Sequence, residues 1–382
     1  MGAVVVEAVR TAIGRRNGAL SGCHPVDLSA IVLRDVAARS GISPELIDDV
    51  IWGCVGQVGE QAHDIARGAV LAAQWPESVP GVTVDRQCGS SQQSLNFAVA
   101  GVVAGHYDAV VAGGVESMSR IPIGSTVQVC GDPVSPSIAA RYPDGFNQGL
   151  GAEMMAAKWG FTRGDVDDYA VGSHERAAAA QDAGVFDSQI VPVTLEDGTV
   201  VTADEGVRRD TSTEILARLK PAFTADGVIH AGNASQVSDG AAAMLVVSDD
   251  FARKHRLVPL ARIHTAVVVG TDPVMMLGGP IPATEKALAK SGLTTADIGA
   301  FEVNEAFAPV PMAWRVELGV DERRLNPSGG AIALGHPLGA SGARIMTDMI
   351  HYMQRNDIRY GLQTMCEGGG QANATIVELV SR

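Results

Sequence analysis

The sequence predicts an α/β fold in which helices cover a layered, largely parallel sheet. Strand-like and helix-like runs alternate through roughly the first hundred residues. This alternation is typical of strands joined by right-handed helical crossovers. Strands such as Ala109–Ala112 are apolar throughout, and such strands are typical of a sheet that is covered on both faces.

The elements of the first half follow from this pattern, in chain order. We expect strands at Val4–Glu7, Val50–Cys54, Val82–Val84 and Ala109–Ala112, and helices at Asp27–Ser40, Asp64–Ala73 and Ser90–Ala104. A later apolar strand, Ala242–Val247, returns the chain to the same half after a long irregular segment.

The end of the chain repeats this plan after a shift of about 250 residues, which indicates two related halves. Val50–Gly53 corresponds to Ala300–Val303, and the strand before Gly113 corresponds to Gly361–Met365. The helix after Cys88 corresponds to one that opens near Ser341 behind a glycine-rich loop. Three pairs in one register favour duplication over chance.

Between the halves, from about Glu116 to Asp239, the alternation fails and prolines interrupt the chain. The clearest helix there is Arg163–Asp182, preceded by the capping residue Thr162. We interpret this segment as an inserted loop domain, a kind of element that often carries binding contacts. The expected division is 1–116 with 239–260 as the N-terminal half, 117–238 as the loop domain, and 261–382 as the C-terminal half.

Composition limits the possible partners. The chain has 382 residues, enough for two or three domain-sized units. Its formal net charge of -14 argues against a general nucleic-acid or anionic-membrane surface, because either requires clustered Lys and Arg. An anionic ligand would need a local basic pocket.

The cysteines and apolar runs indicate a soluble, cytoplasmic protein without a structural metal. The opening residues lack a basic leader, and the most apolar longer window, Phe97–Gly114, contains His106 and Asp108. The cysteines are scattered without CxxC pairs, as is typical of reduced thiols. They are Cys23, Cys54, Cys88, Cys130 and Cys366.

Cys88 is the best candidate nucleophile. It lies where the apolar run Val79–Val84 gives way to the helix that begins near Ser90. The positive end of a helix dipole and its unpaired N–H groups favour a thiolate over a thiol. We therefore expect Cys88 to be activated by its position.

Three other stretches have compositions unlike ordinary core. Asn304 and Glu305 directly end an apolar strand, at the sheet edge where α/β proteins bind ligands. His336 lies in the glycine-rich run Gly329–Gly342, and Cys366 precedes Gly368-Gly369-Gly370. Each feature alone has an ordinary structural explanation, since cysteine is often buried as a small hydrophobe and glycine loops often only turn.

Together these groups suit acyl transfer. A thiolate attacks a carbonyl, an imidazole accepts its proton, and N–H donors hold the tetrahedral oxyanion. A second thiol can move a proton to or from the carbon next to a thioester carbonyl. The set suits carbon–carbon bond cleavage or formation through an acyl-cysteine.

At these residues the chain resembles the thiolase family, essentially from Val4 to Glu378. The family implies duplicated βαβαβαββ halves in a five-layer α-β-α-β-α arrangement, an inserted loop domain, and a homodimer that often pairs into a homotetramer. Members of the family require no metal and no permanently bound cofactor. Their substrates are coenzyme A and acyl-CoA. The motifs are Cys88-Gly89-Ser90, Gly113-Gly114-Val115-Glu116-Ser117-Met118-Ser119, Asn304-Glu305-Ala306-Phe307, Gly335-His336-Pro337-Leu338-Gly339 and Cys366-Glu367-Gly368-Gly369-Gly370.

The resemblance also implies a role for each catalytic residue. Cys88 would be acylated and His336 would activate it, while Cys366 would be the acid/base at the acetyl-CoA carbon. Asn304 would hold a water that forms one oxyanion hole with His336. The backbone N–H groups of Cys88 and Gly368 would form the other.

Coenzyme A contacts in the family come largely from the loop domain. Similar residues here are Arg208, Phe223, Ala231 and Ser235, with Ser235 the best match. For Phe223 core packing is the alternative, and for Arg208 a solvated charge. Phe307 is expected near the pantetheine or acyl chain, with a core role as the alternative.

One departure concerns the acyl pocket. Acetoacetyl-CoA thiolases usually carry a His-Met-Gly-type stretch where this chain has Asn147-Gln148-Gly149. The Gln148 form is similar to thiolases that degrade bulky or branched acyl-CoAs, including actinobacterial steroid-degrading ones. We therefore expect degradative cleavage of a 3-oxoacyl-CoA, with biosynthetic acetoacetyl-CoA formation as the alternative.

Two further alternatives are weaker. A carrier-protein ketosynthase generally has histidine or lysine where this chain has Cys366, and would need a basic docking patch that the sequence does not reveal. An inactive CoA-binding scaffold would show damage in at least one motif, and none is damaged.

Overall fold

Strands and helices alternate at both ends of the chain and are less regular between. The computed structural model describes residues 2–128 and 131–380. The strands of these residues are β1 (Ala3–Thr11), β2 (Gly14–Arg15), β3 (Asp49–Gly53), β4 (Val82–Val84), β5 (Ala109–Ser117), β6 (Ile190–Val191), β7 (Val193–Thr194), β8 (Val200–Val201), β9 (Ser238–Ser248), β10 (Ala261–Gly270), β11 (Ala300–Val303), β12 (Tyr360–Glu367) and β13 (Gln371–Leu379).

The helices flank these strands. They are α1 (Pro25–Ser40), α2 (Ile65–Ala72), α3 (Ser90–Val103), α4 (Ser125–Gln128), α5 (Pro136–Arg141), α6 (Gln148–Trp159), α7 (Arg163–Asp182), α8 (Thr213–Leu216), α9 (Asp249–His255), α10 (Pro280–Ser291), α11 (Pro309–Leu318), α12 (Ala331–Leu334) and α13 (Leu338–Arg355). Among them, no helix combines the length and apolar character needed to cross a membrane.

The two halves share one strand order, so the predicted duplication is confirmed. The first half runs β4-β3-β5-β9-β1, and the second runs β11-β12-β13-β10. In the first half Val50 pairs with Val111, and in the second Ala300 pairs with Gly361. Both partners of the second pair lie 250 positions after those of the first. A bridge between Phe301 and Leu325 stands where the first half has β4.

The sheet is mixed, and the expectation of a largely parallel sheet was wrong. Pairing is parallel in β4-β3-β5 and β11-β12, but antiparallel from β5 through β9 to β1 and from β12 through β13 to β10. Only the residues Gly368–Gly370 separate β12 from β13. Such a short connection cannot carry a parallel crossover, so it forms a hairpin.

Helices and sheet regions stack in five layers, as the family resemblance implies. Val4 and Val6 of β1 pack on one side in a core with α1 and α2. Val5 and Ala8 face the opposite side, where α3 and α13 lie in the centre. The other face of the second half packs against α10 and α11. Strands buried on both faces explain the near-continuous apolar runs.

The segment between β5 and β9 contains α4 to α8 and the short strands β6 to β8. Helix α7 begins and ends where the sequence predicted, with Thr162 and Asp165 forming a capping box. Helix α6 packs against α11 of the second half, and α7 packs against α12. The inserted segment therefore contacts α11, which precedes the glycine-rich run, and α12, which lies within that run.

The central helices α3 and α13 approach closely at their first turns. A Cβ built on Gly342 would lie 2.3 Å from the backbone nitrogen of Gln92 and 2.7 Å from its Cβ. Backbone and Cβ atoms cannot move aside as a flexible side-chain end can. The two helices can therefore reach this separation only with glycine at position 342.

We predict that Gly342→Ala lowers the free energy of unfolding by about 1–3 kcal/mol, because overpacking forces the two helices apart. Gly68→Ala in α2 is the matched control, since its Cβ would meet its nearest neighbour at 3.5 Å. That change should raise stability by up to about 1 kcal/mol through helix propensity. Urea denaturation of both variants measures the difference, and equal effects of the two would contradict the proposed close contact.

Candidate active site

The predicted catalytic residues lie at the ends of strands from both halves. Cys88 follows β4 and precedes α3, and Asn304 directly follows β11. Cys366 is the second-last residue of β12, just before the turn of the β12–β13 hairpin, and His336 precedes α13. Cys88 packs against Met365, Ile345 and Leu338, which belong to the second half. The duplicated topology thus brings Cys88 beside the strand that carries Cys366.

The turn that carries Cys88 has an unusual backbone conformation, and the Ser90 side chain stabilises it. Gln87 has a φ of 49°, a left-handed conformation that is uncommon outside glycine. The Ser90 hydroxyl accepts from the Arg86 N–H at 2.9 Å and donates to the Gln87 carbonyl at 2.6 Å. Strain of this kind is found where a side chain must be aimed into a site.

Cys88 is a neutral thiol in the free protein, so the expected activation by the helix dipole alone was wrong. Burial raises the pKa of Cys88 to about 12, and the nearby Glu367 carboxyl adds to this effect. Hydrogen bonds from the backbone N–H groups of Cys88 and Gly368 oppose it. Desolvation outweighs the helix terminus because the side chain is only 5% exposed. The thiol therefore needs a base.

His336 can supply that base. Its Nδ1 lies 2.5 Å from the Ser341 hydroxyl, which itself donates to the Pro337 carbonyl at 2.9 Å. The hydroxyl must therefore accept from Nδ1–H, which leaves Nε2 as the nitrogen that can accept a proton. Burial, with a smaller contribution from Arg344, lowers the pKa of His336 to about 3. The imidazole is neutral at physiological pH and ready to accept a proton.

Asn304 lies next to that lone pair. Its Nδ2 donates to His336 Nε2 at 3.4 Å, and its backbone N–H donates to the Thr364 carbonyl at 3.1 Å. Within residues 2–128 and 131–380, its buried Oδ1 has no hydrogen-bond partner. A buried amide oxygen without a partner is a site for an ordered water.

Cys366 is fully buried, and its thiol is also neutral. Burial raises its pKa well above the ordinary value, and the charges of Cys88 and Glu367 raise it further. A neutral thiol can donate a proton. Gly369 and Gly370 follow with φ values of 81° and 72°, which let the hairpin turn tightly and bring Gly368 N–H to the Cys88 sulfur.

Glu116 anchors α13, the helix that begins two residues after His336. The Glu116 carboxylate accepts from the backbone N–H groups of Val55, Gly56 and Gly339, each at 2.9 Å, and from Gln61 at 2.7 Å. Gly339 lies in the first turn of α13. One buried carboxylate therefore fixes the start of α13 relative to the loop after β3.

Three of the predicted coenzyme A contacts lie in one cleft. Arg208, Ala231 and Ser235 line a cavity of about 700 Å³. Arg15, Arg16 and Arg209 line the same cavity, together with the acids Glu205 and Asp210. Although the chain as a whole is acidic, arginines cluster around this cavity. The cavity is therefore the kind of local basic pocket that an anionic ligand requires.

The other predicted contacts are Phe223, Phe307 and Gln148, none of which lines this cleft. Phe223 and Phe307 meet edge to face, with ring centroids 6.0 Å apart. Phe307 is 9% exposed and belongs to the second-half core, whereas Phe223 is 39% exposed and covers Gly149. Gln148 and Cys88 line a smaller pocket of about 190 Å³ with Met118, Ile121 and Leu338.

Sequence reasoning missed several residues at this site. Ser341 lay inside the glycine-rich motif, yet only the folded structure reveals its contact with His336. Arg15-Arg16 is a basic pair in an acidic chain, a signal that could have indicated the cleft. Glu116 and Glu367 lay inside family-like motifs without an assigned role.

Four of the five cysteines lie in described residues and are free thiols: Cys23, Cys54, Cys88 and Cys366. Cys130 lies outside the described residues. In the described parts of the chain, no group of three or more His, Cys, Asp or Glu side chains is arranged to hold a metal ion.

Two thiols and a neutral imidazole at strand ends, beside a basic cleft, are the groups of an enzyme that transfers acyl groups through cysteine. Comparisons with known proteins agree. Residues 3–250 match the family model "Thiolase, N-terminal domain", and residues 257–379 match "Thiolase, C-terminal domain". The chain belongs to the thiolase family of acyltransferases.

Individual relatives are similar over nearly the whole chain. "Steroid 3-ketoacyl-CoA thiolase FadA6" of Mycobacterium tuberculosis is 50% identical, over 98% of this chain and 94% of that protein. "3-ketoacyl-CoA thiolase" of Escherichia fergusonii is 44% identical over 99% of both. The crystal structure of the Bacillus anthracis acetyl-CoA acetyltransferase matches with a TM-score of 0.93 and 37% identity over 99% of both chains.

We predict that Ser341→Ala slows acylation of Cys88 by roughly 10- to 100-fold, less than the full contribution of a general base. Loss of the hydroxyl frees the tautomer and the ring orientation of His336. Ser94→Ala is the matched control, because Ser94 is equally buried and also donates to the carbonyl four residues earlier. Rapid-quench experiments measure the acylation rates of both variants. Equal losses of rate would contradict the proposal that Ser341 acts through His336.

Proposed function

We propose that this thiolase degrades 3-oxoacyl-CoA, releasing acetyl-CoA and an acyl-CoA shortened by two carbons. Cys88 forms the acyl-enzyme, His336 is its base, and Cys366 exchanges the proton at the acetyl-CoA carbon. The observation that carries this assignment is the pair of buried, neutral thiols beside one another, with a neutral imidazole whose Nε2 carries no proton. The names of the 3-ketoacyl-CoA thiolase relatives support the degradative direction.

In the first half-reaction, His336 Nε2 accepts the Cys88 proton while the sulfur attacks the 3-keto carbon. The tetrahedral oxyanion collapses, and the bond between carbons 2 and 3 breaks. The electron pair of that bond stays with acetyl-CoA, whose carbanion takes the Cys366 proton. Acetyl-CoA leaves an acyl-Cys88, an imidazolium and a Cys366 thiolate.

In the second half-reaction, the Cys366 thiolate removes the proton from a new CoA thiol. The resulting sulfur attacks the acyl-Cys88 carbonyl, and Cys88 departs as a thiolate. That thiolate recovers the proton from His336, so every group returns to its starting state. No oxidant or reductant is consumed.

Two sets of donors would hold the oxyanions. The N–H groups of Cys88 and Gly368 lower the pKa of the Cys88 thiol, and they would face the oxygen of an acyl group on its sulfur. Asn304, with a water at its unpartnered Oδ1, would form the other set with His336. Preorganised donors in a water-poor site typically contribute about 3–4 kcal/mol each to the lowering of the barrier.

The arginine-lined cleft would hold the nucleotide part of coenzyme A, since its phosphates need local positive charge. Ser235 and Ala231 line the cleft, and the Ser235 N–H donates to the Ala306 carbonyl beside Phe307 at 3.0 Å. Phe223 and Phe307 would cover the pantetheine between the cleft and Cys88. On this basis residues 117–238 form the CoA-binding loop domain, between halves at 1–116 with 239–260 and at 261–382.

The acyl group would occupy the pocket that Cys88 and Gln148 share. Its apolar wall includes Ile121 and Ile123, and Ile123 is 64% exposed, so the pocket opens toward solvent on that side. An open apolar wall admits a group longer than acetoacetyl. The word "steroid" in the name of the Mycobacterium tuberculosis relative supports a bulky acyl chain.

Assembly and location form the remaining part of this proposal. Phe97 and Val103 of α3 and Val82 of the edge strand β4 are each more than 40% exposed. Large apolar side chains near an edge strand favour association with another copy. We propose a homodimer or homotetramer that works in the cytoplasm, where reduced thiols persist.

Covalent trapping tests the two thiol roles separately. Cys366→Ala should still accumulate acyl mass on the Cys88 peptide after incubation with an acyl-CoA, because acylation needs only Cys88 and His336. The same variant should lose exchange of the acetyl-CoA α-protons with solvent. Cys88→Ala should show neither acyl mass nor turnover. Turnover by Cys88→Ala would remove Cys88 from the nucleophile role, and undiminished proton exchange would remove Cys366 from its role.

Acyl-chain preference tests the pocket. We expect a higher kcat/KM for thiolysis of long or cyclic 3-oxoacyl-CoAs than of acetoacetyl-CoA. Ile121→Phe should reduce the long-chain value selectively by filling the pocket, whereas Val258→Phe, on an exposed site outside it, should change neither. Preferred turnover of acetoacetyl-CoA by the unaltered enzyme would favour the biosynthetic alternative.

A further inference from the structure

Glu367 lies close to both proposed reactive cysteines. It follows Cys366, precedes Gly368, and its side chain is completely buried. A Cβ built on Gly89 would lie 2.0 Å from Glu367 Oε1. The carboxyl group therefore occupies the space that Gly89 leaves open, immediately beside the residue that follows Cys88.

This carboxyl group has no hydrogen-bond partner for either oxygen among residues 2–128 and 131–380. Arg86, two residues before Cys88, donates from Nη1 to Gln371 at 3.1 Å, while its buried Nε is also unpartnered. Glu116, another buried carboxylate near this site, accepts four hydrogen bonds. The fold thus provides donors for one carboxylate and withholds them from the other.

A buried carboxyl group without donors favours its neutral form. Burial raises the pKa of Glu367 to about 8, with Arg86 partly opposing the effect. When Glu367 is ionised, its charge raises the pKa of both Cys88 and Cys366. The charged or titratable neighbours in this region are Arg86, Asp85, Cys88 and Cys366.

We propose that Glu367 is a positioning residue that controls the charge on Cys88, permitting the thiolate while it is protonated and opposing it once ionised. This inference rests on Cys88 as the nucleophile, as proposed above. Glu367 acts through the nucleophile and touches no reacting atom of the substrate. It would set the upper pH limit of acylation.

The sign of the pH effect follows from the two protonation states. Below about pH 8 Glu367 is neutral. The pKa of Cys88 is then the same whether residue 367 is glutamate or glutamine. Above that pH the carboxylate raises the pKa of Cys88, so thiolate formation increases less steeply with pH. One unit of that pKa corresponds to about tenfold in thiolate population.

Alkylation of Cys88 by iodoacetamide measures the thiolate directly and requires no acyl transfer. Rates for the unaltered enzyme and Glu367→Gln are obtained between pH 6.5 and 9.5 from the mass of the Cys88 peptide. Glu367→Gln should match the unaltered enzyme within about twofold at pH 6.5 and exceed it by roughly tenfold at pH 9.5. In a plot of kcat/KM against pH, the alkaline limb should move to higher pH in the same variant.

Glu378→Gln is the control, since it removes a carboxylate from the neighbouring strand β13, where Glu378 pairs with Arg359 at 2.7 Å. It should leave the alkylation profile unchanged. Glu367→Met provides a second uncharged side chain and should behave as Glu367→Gln does. Identical pH profiles for folded Glu367 variants and the unaltered enzyme would overturn the role of Glu367. If Cys88→Ala still lost turnover, that result would leave the nucleophile assignment intact.

Discussion

The carboxylate of Glu116 is the interaction on which the site geometry depends. It joins the loop after β3, in the first half, to the first turn of α13, in the second. Burial raises the pKa of Glu116, and its four hydrogen bonds oppose that effect. Because α13 begins two residues after His336, this contact sets the position of the imidazole relative to the strand ends of the other half. The close approach of α3 and α13 at Gly342 makes the arrangement rigid.

Burial governs the chemistry of the crevice more than any helix terminus does. Cys88, Cys366 and His336 are each no more than 5% exposed, and all three are neutral. A low-dielectric site penalises each isolated charge, so charge develops only when proton transfer and bond formation occur together. This explains why Cys88 needs a base although it stands at the start of a helix. For the same reason, an unpartnered carboxyl group such as Glu367 has a large effect on the pKa values of the nearby thiols.

The inserted segment connects binding to this chemistry. Helix α7 supplies Tyr169 and Ser173, whose hydroxyls contact the Glu305 carboxylate at 2.9 and 2.7 Å. Glu305 follows Asn304 and also accepts from the Ile332 N–H, four residues before His336. A segment that lies along the proposed coenzyme A path therefore also supports the loops that carry two of the proposed catalytic residues.

The sequence by itself determined the α/β class, the duplication, helix α7 and the motif residues at strand ends, because periodicity and turn residues are local properties. It did not determine that β5, β9 and β1 pair antiparallel, since strand direction depends on how distant segments meet. It also misjudged Cys88, because a pKa depends on burial and on neighbours such as Glu367, 279 positions away in the chain. The tautomer of His336 and the arginine cleft formed with Arg15 likewise required the tertiary structure, which alone brings these groups together.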